Sequence, residues 1–551
     1  MQFNDIKSLT SETKSAQEAS SARCGIGLLC ASSIALAATC STPAIAQEAL
    51  SPSEQRQHEQ AQAALQEEPK LWEDIVGMEF LGGAYPNEEQ AARIFDEYDF
   101  QRATQGFIWS LPAMNMYSMR EGSEKLFGKG NHILPVWKER LRATTQVTTP
   151  NSDVIYAMSY LDTKDGPVVV ESPPNIQGLF DDMFQRPIAD VGFPGADRGR
   201  GGKYLILPPD YDGPIEVGVH TLKAPDDDPH LYYVFQSPTY GVFLFWRAFL
   251  DEDGQGTSSG VGFIEQTKVY SWGKKAEAPP MEFPDATFAN AQMLIPNITV
   301  GDDPYRYFEN LADYVNYEYV QEEDKAFLGM LQGIGIEKGK PFNPSDRMKN
   351  ILRKASIAGY NMSRANRYAS RDPAKIIWEG KRWEQPWIRQ HVNHMAPNFL
   401  DLNSRAAFFH IAYSSSPAMV DELIDVGAKY PMTMRDGDGN YFNGSNSYKL
   451  EIPADMPAKI FWSVSVYNAF SASGVDNGQP FPSINSMDPI TYNEDGSATF
   501  YFGPELPEGA PETNYLRTLP GEGWFTLFRL YGPERAYFDG SWQLPDIEKL
   551  N

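Results

Sequence analysis

All three cysteines of this chain, Cys24, Cys30 and Cys40, lie in its first forty residues. Whatever folds beyond them does so without a disulfide, a thiolate nucleophile or a cysteine metal ligand. Core packing and polar pairing alone must hold it. The cysteines themselves sit in a stretch laid out like an export signal. Cys24–Thr39 is small, apolar and uncharged, follows Arg23, and leads to Ala44-Ile45-Ala46, a small-x-small cleavage pattern. Cleavage after Ala46 is expected, giving a mature chain that starts at Gln47 in the periplasm. The apolar run falls short of the roughly 20 residues a membrane span needs, so no membrane insertion is expected once the signal is removed.

Removal of residues 1–46 leaves roughly 500 residues, more than one hydrophobic core serves, and two large domains are expected. The net charge of −26 argues against nucleic acid and anionic membrane as partners. Aromatic residues make up 13% of the chain, and the 44 glycines and 41 prolines supply many turns. This balance points to β-sheet rather than a helical bundle.

Along the chain, residues 47–84 read as a mobile or helical arm. Residues 85–302 read as a helix followed by a β-sandwich. Asn87 is placed as an N-cap with Glu88 and Glu89 in the first turn, and Pro112 is expected to interrupt the helix that follows. Strands are expected at Val154–Leu161, Pro167–Glu171, Lys203–Leu207, Leu231–Gln236 and Gly241–Leu250. Residues 303–402 form a helical connecting segment, and residues 403–551 a second β-sandwich. Its strands are expected at Tyr448–Ile452, Lys459–Asn468, Ala498–Phe502 and Trp524–Tyr531. The fold class expected is mixed and β-dominated: two jelly-roll-like β-sandwich domains with helical segments before and between them.

Few motifs carry chemistry. Gly256-Thr257-Ser258-Ser259-Gly260 has the spacing of a serine-hydrolase elbow, but it reads as a polar loop with no helical pattern behind it. The basic run Arg198–Lys203 precedes a strand, whereas a phosphate loop opens a helix. His391 and His394 make too few ligands for zinc, and Asp436 and Asp438 too few oxygens for calcium. No metal and no cofactor is expected.

Two lone arginines stand out. Arg247 lies in Val242–Leu250 and Arg529 in Trp524–Tyr531, both otherwise apolar. Period-2 alternation puts Arg247 on the face of Phe243 and Phe245, and Arg529 on the face of Phe525 and Leu527. A buried guanidinium needs a carboxylate or a bound anion. An internal salt bridge is the expectation for each, with an anion-recognising pocket as the alternative. The third cluster, Thr149-Pro150-Asn151-Ser152-Asp153-Val154-Ile155-Tyr156, places polar groups at a strand entry, with Thr149 expected to be extended ahead of Pro150.

Several segments resemble a known family. Thr149–Tyr156, Pro208–Gly213 and Ser237–Arg247 resemble the N-terminal domain of unknown function 1254. Phe461–Val464, Asn493–Ser497, Gly523–Pro533 and Asp539–Trp542 resemble the C-terminal domain of unknown function 1214. The family commonly reads Asn-Trp where this chain has Asn514-Tyr515. The resemblance implies two jelly-roll-like domains in an exported bacterial protein, and no established chemistry.

Two classes of function stay open. One is a cofactor-independent hydrolase acting on a small acidic or ester-like substrate. Asp153 would be its general base, Tyr156 its proton donor and Arg247 its anchor, with Asn151 and Arg186 binding substrate. The other is a non-catalytic envelope binding or assembly protein with a small-molecule or protein ligand. The sequence does not indicate an oligomeric state.

Overall fold

The computed structural model describes residues 75–251, 254, 256–287, 289 and 303–550. The expected signal peptide and most of the arm lie outside them. Helix α1, Glu88–Phe127, begins where the sequence places it. The Asn87 side chain accepts from the Gln90 amide at 2.8 Å, and the Gln90 side chain accepts from the Asn87 amide at 3.0 Å. This reciprocal cap satisfies two of the donors a helix start leaves free.

Pro112 does not interrupt α1, which continues for fifteen residues beyond it to Phe127. The reason is tertiary. The helix is buried nearly all round from Ala103 to Met119, and donors from other elements reach the carbonyls around the proline. Tyr307 Oη donates to Phe107 O at 3.0 Å, and an Arg405 amino group to Trp109 O at 2.9 Å. The disturbance that proline introduces is absorbed by those contacts.

Four main sheets follow. Strands β1 (Val154–Asp162), β3 (Gln177–Asp182), β4 (Pro187–Gly192) and β8 (Gly241–Phe249) form an antiparallel sheet of order β1-β8-β3-β4. Strands β2 (Val168–Ser172), β5 (Gly202–Leu207), β6 (Gly218–Lys223), β7 (Pro229–Gln236) and β9 (Lys268–Ser271) form a second, of order β6-β7-β5-β2-β9. Ile155, Phe180, Leu244 and Trp246 of the first sheet share a core with Val168, Val170, Tyr204 and Ile206 of the second.

The Gly256–Gly260 motif is not a loop. Helix α2 runs Ser258–Ile264, because Val261, Ile264 and Gly260 pack on the end of the first sheet. Ser258 Oγ is exposed and donates to Asp251 at 3.1 Å. Helices α3 (Arg306–Tyr317), α4 (Lys325–Gly333) and α5 (Asp346–Tyr368) pack around α1. A short pair, β10 (Met395–Ala396) and β11 (Phe399–Leu400), precedes helices α6 (Leu402–Phe409) and α7 (Pro417–Val420).

In the C-terminal part, β12 (Ala428–Lys429), β15 (Ala458–Asn468), β16 (Ser483–Asn485) and β19 (Trp524–Pro533) form a sheet of order β12-β19-β15-β16, with β13 (Met432–Thr433) also on β19. Strands β14 (Tyr448–Ile452), β17 (Ala498–Gly503), β18 (Tyr515–Arg517) and β20 (Glu548–Lys549) form the order β18-β17-β14-β20. Trp462, Val464, Phe528 and Leu530 meet Leu450, Phe500 and Phe502 in their shared core. The architecture is mixed α/β, with several open sheets and substantial helix.

The largest core lies between these two halves. It takes the remaining faces of β1, β8, β15 and β19 together with α1, α3, α5 and α6. The strands that carry Arg247 and Arg529 therefore use one face for their own sheet pair and the other for this shared core.

Candidate functional site

Arg247 and Arg529 line one cavity of about 60 Å³ within that shared core. A water needs about 10–15 Å³, so there is room for several waters or a small organic group. The β1–β8 register sets Tyr156 opposite Arg247, and the Tyr156 ring stacks on Phe245 with centroids 5.1 Å apart. Ser463 of β15 lies opposite Arg529, and Tyr531, two residues on, shares its face. Tyr413, Tyr430, Trp387, Phe408 and Met419 complete much of the wall.

Both guanidiniums are buried, Arg247 to 5% exposure and Arg529 to 3%. Neither has an ion pair with a carboxylate among the described residues, so the internal salt bridges expected from the sequence are not what holds them. Arg529 donates to Ser465 Oγ at 2.9 Å and to the carbonyls of Thr149 and Pro150 at 3.0 and 3.2 Å. Arg247 has one long contact, 3.5 Å to Tyr430 Oη; its Nε is buried without a partner, and its guanidinium lies 5.2 Å from the Phe245 ring centre. Burial opposes the charge of both. The oxygens of Tyr430, Tyr531 and Tyr156 at Arg247, and of Tyr467, Tyr531 and Tyr156 at Arg529, act the other way, but only once those phenols ionise; at neutral pH they offset little of the burial. Both arginines stay above their ordinary range.

Burial also raises the phenols of Tyr156 and Tyr413, and pushes Tyr430 up to about 12. At neutral pH these groups are protonated donors. None of the described lining residues is acidic, a histidine or a lysine. Asp181 and Asp190 are the carboxylates whose fields reach Arg247, and burial pushes both upward, which weakens them as counter-charges. Each spends an oxygen on a backbone amide instead, of Ser415 and Ala418.

The backbone around the cavity is strained at two lining positions. Thr149 has φ 43° and Ser414 φ 59°. Thr149 is thus not extended ahead of Pro150. Its amide donates to Ala472 O at 2.6 Å, its hydroxyl to Ile411 O at 3.0 Å, and its carbonyl accepts from Arg529. These bonds over-determine a conformation that a β-branched residue rarely adopts.

The structure thus brings together Tyr156 and Arg247 and leaves the other candidates elsewhere. Asp153 is buried in a closed network outside the cavity. Arg140 donates to it at 2.7 Å, Ser483 Oγ at 2.7 Å and Asn485 Nδ2 at 2.9 Å. No bulge turns it toward Tyr156. Asn151 supports the wall from behind: its amide donates to Tyr156 Oη at 3.0 Å and its side chain to Tyr531 Oη at 2.9 Å. Arg186 is held by Asp182, Glu323 and Asp324 at 3.3, 2.9 and 2.7 Å. His394 is buried against Phe408 and Phe409, and burial lowers it to about 3. Asp436 closes a turn through Asn440. Among the described residues no cluster of His, Cys, Asp and Glu is suited to a metal.

Sequence reasoning missed Tyr413, Tyr430 and Tyr531 as wall residues. Alternation from Arg529 reaches Tyr531; nothing in the sequence reports Tyr413 or Tyr430, which arrive through the 411–431 loops.

Residues 132–270 match the family described as protein of unknown function DUF1254, and residues 427–535 match protein of unknown function DUF1214. Arg247 and Tyr156 fall in the first match, Arg529, Tyr430 and Tyr531 in the second. No curated protein matches the chain. The chain is similar to the solved VPA0106 protein from Vibrio parahaemolyticus, with 16% identity, TM-score 0.48, and 82% of this chain and 100% of that one covered. It is also similar to an uncharacterised protein from Burkholderia cenocepacia, with 10% identity, TM-score 0.35, and 90% and 96% covered.

Proposed function

We propose that this chain, which carries both DUF1254 and DUF1214, binds a small organic acid in the cavity between its two halves. The observation that carries the reading is the pair of buried guanidiniums facing one space with no ion-paired carboxylate among the described residues. At Arg247, whose one contact is long and whose Nε is unpartnered, a buried charge left in that state costs several kcal/mol, and a bound anion is the partner that recovers it. Guanidinium forks match carboxylate geometry, and protonated tyrosines add neutral donors. The aromatic wall suits an acid with an apolar body.

Binding is favoured over the hydrolase alternative, because the lining supplies donors and no base to activate water. Asp153, whose role in hydrolysis would be general base, has its oxygens committed to Arg140, Ser483 and Asn485. Within the same reading the sheet pairs are two jelly-roll-like sandwiches with the cavity at their junction, which the shared core of each pair supports. The protein acts after export to the periplasm and cleavage behind Ala46, a reading that rests on the Ala44-Ile45-Ala46 pattern. N-terminal sequencing of the exported product tests it, and a start before Cys40 would contradict it.

The test of binding is calorimetry with acetate, hexanoate, benzoate and phosphate. At least one carboxylate is expected to bind, and Arg247→Met to abolish that binding. Absence of binding by all four, or binding that survives Arg247→Met, would overturn the proposal.

A further inference from the structure

A second, smaller chamber adjoins the arginine cavity. The two share Pro386, Trp387, Met419 and Tyr430 as lining. On the far side of that shared wall the second chamber is lined by Lys429, Gln385, Gln390 and Tyr537. Lys429 is 8% exposed and has no ion pair among the described residues. Its ammonium donates to Val420 O and lies 5.6 Å from the Phe538 ring centre, leaving donors unspent. Asp421 and Glu422 act on it through space, but both side chains are exposed to solvent. None of the described residues lining this chamber is acidic.

The strand geometry explains why the two chambers are neighbours. Lys429 ends β12 and pairs with Leu530, one residue from Arg529, while Ala428 pairs with Tyr531. Tyr430 follows directly, and its hydroxyl accepts the bond from Arg247. One short segment therefore puts a phenol on the arginine cavity and an ammonium in the chamber behind it. The wall between them is uneven. Trp387 is fixed by stacking on Phe408, with centroids 4.2 Å apart, and by its indole bond to Ser415 Oγ at 2.9 Å. Met419 is unbranched and adapts its shape readily, and the Tyr430 hydroxyl takes only the long 3.5 Å bond from Arg247 among the described residues.

We propose that the ligand is a linear molecule with an acid group at each end, one held by Arg247 and Arg529 and the other by Lys429, its apolar middle lying along Met419, Trp387 and Tyr430. This rests on the small-acid reading above and adds the class of acid. Three buried cations without ion-paired carboxylates among the described residues, in two touching chambers, are matched by two anionic groups joined by an apolar spacer and not by one.

The experiment is calorimetry on the full chain with linear dicarboxylates of four to ten carbons and the monocarboxylates of equal length. The expected result is that one dicarboxylate length binds at least about tenfold tighter than its monocarboxylate. Lys429→Met should collapse that ratio toward one, Lys429→Arg should keep most of it, and Arg247→Met should remove binding of both series. Equal affinity of the two series in the unaltered protein would overturn the proposal while leaving the small-acid reading standing. A preference for dicarboxylates that survives Lys429→Met would also overturn it. If neither series binds, this proposal falls, and the small-acid reading stands or falls on benzoate and phosphate. The comparison in the unaltered protein does not depend on any variant folding.

Discussion

Replacing Arg247 by methionine should make the ligand-free protein more stable. In the folded state the guanidinium is buried, holds one contact at the 3.5 Å limit of a hydrogen bond, and leaves its Nε unpartnered. The compensation it receives is modest: that weak bond, plus a cation–π contact with Phe245 worth about 2 kcal/mol in a dry site. The desolvation it opposes is several kcal/mol. Methionine is close in length, fills the same space and carries no charge. The net expectation is a gain of about 1–3 kcal/mol.

Unfolding entropy of roughly 2 cal/mol/K per residue gives about 1 kcal/mol/K for a chain of this size, so Tm should rise by roughly 1–3 °C. Denaturant titration and thermal unfolding in anion-free buffer measure it. A saturating carboxylate should reverse the order, because the unaltered protein alone gains binding energy. If Arg247→Met instead destabilises by about 3–5 kcal/mol, as when one member of a buried ion pair is removed, the guanidinium is structural and the argument for an anion site fails.

Arg529→Met should behave differently, because three hydrogen bonds tie that guanidinium to Ser465, Thr149 and Pro150. Charge-assisted bonds of about 1.5–3 kcal/mol each outweigh desolvation, so a loss of about 1–3 kcal/mol is expected in urea titrations. Asp153→Ala should cost about 3–5 kcal/mol by stranding Arg140, while the folded variant still binds carboxylate by calorimetry. Glu318 gives an unusual pH signature. Burial pushes it up to about 7 against the pull of the Gly241 and Tyr240 amides and Arg120. The folded state therefore holds the proton more tightly than the unfolded chain does. Its contribution is complete below about pH 4.5 and is lost as pH rises through 7, by roughly 3 kcal/mol. Stability measured across that window should fall in the unaltered protein and flatten in Glu318→Gln; equal slopes would refute the assignment.

Local features were legible where local physics decides them. Asn87 was readable as a cap because an asparagine acceptor followed by Glu88 and Glu89 suits the first turn of a helix. Strands such as Tyr448–Ile452 and Gly241–Phe249 were readable from alternation or from apolar runs bounded by turns. Pro112 misled because its effect was set by Tyr307 and Arg405, some 200 and 290 residues away in sequence. Thr149 misled for the same reason, its left-handed backbone being fixed by Ala472, Ile411 and Arg529. The α2 helix was missed because seven residues, two of them serines and two glycines, carry too little periodicity to register.

The site was half legible. Each lone arginine was visible on its strand, and so was the face it occupied. What the sequence could not supply was that the two faces turn toward each other, which is a property of how the halves pack. A single cation on an apolar strand is most simply an internal salt bridge, whereas two cations on facing strands repel and cannot serve as each other's partner. The structure keeps both while sending the nearby carboxylates elsewhere: Asp153 to Arg140, Asp182 to Arg186, Asp181 and Asp190 to backbone amides. A fold selected only for stability would pair these charges with each other or replace the arginines by apolar residues. Arg247 lies in the DUF1254 match and Arg529 in the DUF1214 match, so the cavity draws its two guanidiniums from both.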